Sequence, residues 1–120
     1  MSLKINIRER TGVTIMDLAG RIVLGDGAME MEQACNELLA QDRRKIIINL
    51  AKVHYIDTTG LGALIACKTN ADKYSATLKL LKMQEHQKSL LVTTKLLTLF
   101  EIVEDEDEAV NSFTEAVVPS

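Results

Sequence analysis

Three isoleucines stand side by side in Lys45-Ile46-Ile47-Ile48-Asn49-Leu50, and this run constrains the fold more than any other stretch. A strand with one wet face alternates apolar and polar residues, so an unbroken apolar run reads as a strand covered on both sides. That places it centrally in a sheet with helices packed upon it. The residues that follow lead to Ile56-Asp57-Thr58-Thr59-Gly60-Leu61-Gly62, ahead of an apolar segment, Ala63 to Cys67, spaced as a helix. The junction is a strand-to-helix corner carrying two hydroxyls beside a carboxylate.

Upstream, Lys4 to Arg10 alternates Ile5 and Ile7 with polar neighbours, and after a Thr11-Gly12 turn Val13 to Leu18 resumes the pattern. The two segments predict a hairpin. Gly20-Arg21 ends or bulges its second strand, and Gly25-Asp26-Gly27 marks a loop. Met31, Ala34, Cys35, Leu38 and Leu39 then form a one-face stripe that predicts a helix to about Gln41.

Downstream of the corner the spacing predicts a helix to about Tyr74, a strand from Thr77 to Met83, and a helix over Gln87 to Leu97 burying Leu90, Leu91, Thr94 and Leu97. Leu99 to Val103 fits a short last strand, and Glu108 to Phe113 a closing helix that packs Ala109, Val110 and Phe113. Strands alternating with helices imply parallel pairing through crossovers. The expected fold is α/β: a mixed sheet of about five strands, the first two a hairpin, with about four helices mainly on one face. At 120 residues the chain is expected to be one domain, with the residues after Glu115 fraying.

Composition removes several function classes. Aromatics are 3% with no Trp, too few for a base-stacking surface, and the formal net charge of −3 gives no general attraction to nucleic acid or an anionic membrane. The Arg43-Arg44-Lys45 cluster suits a helix C-terminus, and the acidic run Glu104 to Glu108 suits a helix start, with a docking surface for a basic partner as its alternative. Cys35 and Cys67 belong to no metal-ligand spacing with His54 or His86 and are expected as free buried thiols in a reducing compartment. No signal-peptide pattern and no apolar run of membrane-spanning length is seen, which predicts a cytoplasmic protein. No metal or cofactor is called for.

The corner itself admits two readings. Thr58 and Thr59 can each accept a bond from the free amides that open a helix, which makes a capped helix. Alternatively they are modifiable hydroxyls at a helix N-terminus, where a phosphate meets unpaired amides and the positive end of the dipole. Catalysis by the chain finds little support. Gly60-Leu61-Gly62 lacks the third small residue of a dinucleotide fingerprint, since Ile65 stands there, and neither GxxxxGK[ST] nor GxSxG occurs. A threonine hydroxyl lacks a base of its own near neutral pH, so it suits receiving a phosphoryl group from a kinase that supplies one.

The order of strand, Asp57-Thr58-Thr59-Gly60-Leu61-Gly62, helix, Thr77 to Lys82 strand and the Leu90 to Phe100 segment resembles the STAS domain of bacterial anti-sigma-factor antagonists, with the Gly20-Arg21-Ile22 exit included. The resemblance covers nearly the whole chain. It implies a non-enzymatic partner switch: the unmodified protein binds an anti-sigma factor that is also a serine/threonine kinase, phosphorylation releases it, and a PP2C-type phosphatase resets the cycle. Carried over by position, Asp57 is the motif aspartate, Thr58 the phosphoacceptor and Thr59 the second hydroxyl, with Gly60, Leu61 and Gly62 completing the partner-binding motif. The family commonly has serine where this chain has Thr58, whose extra methyl stiffens χ1. The alternative role is an unphosphorylated scaffold or accessory subunit of a stressosome or transporter complex.

Overall fold

The computed structural model describes residues 3–115. Five strands form one sheet in the order β1 (Lys4–Arg10), β2 (Val13–Ile22), β3 (Lys45–Ile56), β4 (Thr77–Leu81), β5 (Glu101–Val103). β1 and β2 pair antiparallel as the predicted hairpin, whereas β2 through β5 pair in parallel. The helices are α1 (Ala28–Ala40), α2 (Thr58–Lys73), α3 (Glu85–Thr93) and α4 (Glu106–Glu115).

The isoleucine run is central and covered twice. Ile46 and Ile48 join Met31 and Leu39 of α1, Leu64 of α2 and Leu91 of α3 in the larger core, while Ile47 packs on the other face with Ala109, Val110 and Phe113 of α4. Three helices thus lie on one face and one on the other, which matches the expected bias. Cys35 and Cys67 are free and fully buried in the α1 and α2 seam. The Cys67 thiol is pushed up by its hydrogen bond to Cys35 and then by burial. No described helix is long and apolar enough to cross a membrane.

Several predicted limits shift. β3 continues to Ile56 rather than stopping near Leu50, and β4 ends at Leu81, short of Met83. α3 starts at Glu85 and stops at Thr93, so Thr94 and Leu97, expected inside, are exposed. Leu97 belongs instead to a 3-10 turn, Leu97–Leu99, before β5. The expected fraying beyond Glu115 lies outside the described residues.

α4 is fastened at its N-terminus by charge. Arg8 of β1 holds Glu106 through both carboxylate oxygens, at 2.6 and 2.9 Å, and also holds Asp17 of β2, while Arg10 bonds Glu106 at 2.6 Å. The acidic run therefore does serve a helix start, with Glu106 turned onto the sheet. The Arg8 bond, opposed by burial and reinforced by Arg10, holds the Glu106 carboxyl at about 2, below its ordinary 4.5. Burial pushes Asp17 up, but bonds from Arg8 and Asn49 outweigh it and leave the carboxyl below its usual range.

A carboxyl depressed in the folded state adds stability that is complete above its ordinary value and lost as pH falls toward the folded one. Urea denaturation should therefore show stability flat at neutral pH and declining from about pH 4.5 toward 2. The Glu106→Gln variant should be less stable at pH 7 and lose less on acidification; equal pH profiles for variant and wild type would contradict the assignment.

Candidate functional site

The corner forms where β2 and β3 both end. Asp57 has extended backbone, φ −92 and ψ −176, and is the N-cap of α2. Its Oδ1 accepts the Gly60 amide at 2.7 Å, the usual capping bond. Its Oδ2 accepts the Leu24 amide at 3.0 Å, from the loop between β2 and α1. The Leu24 amide, then that of Gly60, hold the Asp57 carboxyl below its usual range. One side chain thus caps a helix and ties down a separate loop.

This corrects the expectation that the threonines cap α2. They occupy its first two positions, both are exposed, and no hydrogen bond to another described residue engages either hydroxyl. Capping by Asp57 leaves the hydroxyls free. Asp57 holds backbone amides and does not hold the Thr58 hydroxyl. His54 lies exposed in β3, and no described interaction joins it to Thr58. Among the described residues no group of His, Cys, Asp or Glu is placed to hold a metal ion.

The two glycines of the motif have different tasks. A Cβ on Gly60 would stand 1.9 Å from the Ile22 carbonyl oxygen, so β2 and the first turn of α2 meet at a distance only glycine permits. The Asp57 amide bonds that same carbonyl at 3.3 Å. A Cβ on Gly62 would meet nothing within 4 Å. Gly62 and Thr59 line an open groove of about 590 Å³ with Leu24, Met29 and Glu32. Leu61 turns inward to the core.

Leu24 and Met29 were not singled out by sequence, yet they are 74% and 69% exposed and share the groove with Thr59. Their signal was indirect. Gly25-Asp26-Gly27 announces a tight loop, and the structure closes it with paired Val23 and Asp26 backbone bonds, each 3.1 Å. Gly27 has φ 108 and approaches the Arg21 carbonyl too closely for any side chain. The loop is thereby folded back against the corner, where Asp57 grips it.

With this geometry established, comparison with known proteins gives a consistent answer. The STAS domain model matches residues 4–109. The chain belongs to the STAS domain family. Among solved structures, this STAS domain superposes on tm1081 of Thermotoga maritima with a TM-score of 0.83 at 19% identity, covering 90% of this chain and 92% of that one. An anti-sigma factor antagonist from Mycobacterium paratuberculosis follows with 0.79, 21%, 92% and 93%. The Bacillus anti-sigma factor antagonist SpoIIAA in its phosphorylated form gives 0.73, 14%, 92% and 99%. Identities this low establish a shared fold.

Substitution separates the two glycines. Gly62→Ala should leave stability in urea denaturation unchanged or raise it, by up to about 1 kcal/mol of helix propensity. Gly60→Ala should destabilise the chain by more than about 2 kcal/mol in urea denaturation, since backbone meets backbone there. Equal tolerance at both positions would contradict the close approach of α2 to β2.

Proposed function

We propose that this STAS domain is an anti-sigma-factor antagonist that works by partner switching, with Thr58 as the phosphoacceptor. The observation that carries the proposal is the exposed, unengaged hydroxyl pair at the first turn of α2, beside the exposed apolar side chains of Leu24 and Met29. A kinase-type anti-sigma factor in the cytoplasm would dock on this surface through Thr58, Thr59, Gly62 and the neighbouring loop. Asp57 holds them in place, and Gly60 and Leu61, expected in the contact, are buried beneath it. A base on the kinase takes the threonine proton as Oγ attacks the γ-phosphorus of ATP and ADP leaves. The chain supplies the hydroxyl and its position and performs no catalysis.

The consequence of modification follows from where the hydroxyl sits. Phosphate adds roughly −1.5 to −2 charges at a helix N-terminus, where the dipole and free amides tolerate it and the fold survives. The same charge sits beside the Asp57 carboxylate and at the rim of an apolar contact. Docking is lost to repulsion and desolvation, and a PP2C-type phosphatase restores it. Thr59, which lines the groove, is the second candidate acceptor.

Incubation with the cognate kinase and ATP, followed by mass spectrometry, should place one phosphate on Thr58 and none on a Thr58→Ala variant; an unmodified peptide spanning Thr58 and Thr59 rejects the proposal. In titration calorimetry Thr58→Asp should weaken kinase binding at least about tenfold, or 1.4 kcal/mol, with an unchanged circular dichroism spectrum. Binding equal to wild type would leave phosphorylation without an effect to exert.

A further inference from the structure

Among the described residues no strand pairs with the far half of β3 on its β4 side. β4 ends at Leu81, opposite Asn49, while β3 runs on through residues 50–56. Pairing with β2 on the other side is irregular. Gly20 faces Val53 and Arg21 faces Tyr55, so His54 is an extra residue, a bulge that re-aims the strand just before the corner. At this bulge the Val53 carbonyl accepts two side-chain amides from the start of α3, Gln84 Nε2 at 2.9 Å and Gln87 Nε2 at 3.1 Å.

Gln87 is 3% exposed, and its amide is used at both ends, since its Oε1 accepts the Gln84 backbone amide at 3.2 Å. A buried amide with every polar atom engaged has one orientation available to it. Downstream there is little slack. Asp57 must place its two oxygens at 2.7 and 3.0 Å from amides on two different elements, with Gly60 pressed on the Ile22 carbonyl.

We propose that Gln84 and Gln87 are positioning residues for the Asp57 corner: by clamping the Val53 carbonyl they fix the β3 bulge that delivers Asp57 to the Leu24 and Gly60 amides. α3, which contributes nothing to the groove itself, is thereby tied to the presentation of Thr58. The link to Thr58 as acceptor rests on the function proposed above, whereas the clamp is read on the chain's own amides. A chain that no kinase modifies would leave the clamp intact.

The test is amide exchange by NMR on the full ¹⁵N-labelled chain, with stability measured in parallel by urea. In Gln84→Met/Gln87→Met the Leu24 and Gly60 amides should exchange at least about tenfold faster than the change in global stability accounts for. The Asp57 carboxyl, followed by ¹³C titration, should move up toward its ordinary range. Leu91→Ala removes a buried side chain from the same helix and leaves both side-chain amides on the Val53 carbonyl in place, and should speed exchange only in step with lost stability. If the double variant does not fold, Gln84→Met alone, which keeps the backbone cap bond to Gln87, is read by the same two signals. Corner amides that exchange as in wild type, or only in proportion to global stability, overturn the proposal.

Discussion

The Asp57 carboxylate is the contact on which the corner depends. Its oxygens join the Gly60 amide of α2 to the Leu24 amide of the loop before α1, elements more than thirty residues apart in sequence. Ionised, it is an acceptor at both oxygens and suits two donors at once; a neutral acid would carry a proton on one of them. Its low pKa and its double role have the same origin. Because the carboxylate meets the free amides, the adjoining threonine hydroxyls stay unengaged.

The sheet makes that contact possible. β3 is buried on both faces through Ile46, Ile47 and Ile48 and serves as the rigid rail along which Asp57 is carried. α1 and α2 pack side by side on one face, which sets their N-terminal regions and the loop before α1 at one end of the sheet. The charged seam of Arg8, Arg10, Asp17 and Glu106 anchors the helix on the opposite face and takes no part in the corner. The seam that fastens α4 and the corner that holds Asp57 thus share no residue.

How much of this was legible depends on what each residue's signal was. The isoleucine run was readable because burial on two faces writes itself directly as continuous apolarity. The rest of β3 was not, since its bulges change the burial rhythm from every second residue to every third at Leu50, Val53 and Ile56. Apolar spacing carried the predicted α3 too far. There the chain leaves the helix at Lys95, with φ 62, after the Thr93 and Thr94 hydroxyls have bonded carbonyls one turn back. At the corner the motif located the strand-to-helix junction but not which of its side chains caps the helix. Three adjacent side chains can all cap, and the choice fell to the one whose backbone stays extended. Leu24 and Met29 were invisible for another reason: Leu24 lies in a loop, which has no periodicity, Met29 lies in the first turn of α1 off its buried face, and only the fold sets them beside Thr59.

The paired thiols bear on how motion in this domain is seen. Cys35 and Cys67 face each other in the seam between α1 and α2, fully buried and with the Cys67 thiol held from ionising. A thiolate is the reactive form, so the native seam is closed to alkylating probes both sterically and chemically. The groove beside Thr59 is built on the N-terminal turns of these two helices. The chain therefore carries its own silent label: the rate at which its cysteines become modifiable is a clock for the parting of the two helices that frame this groove.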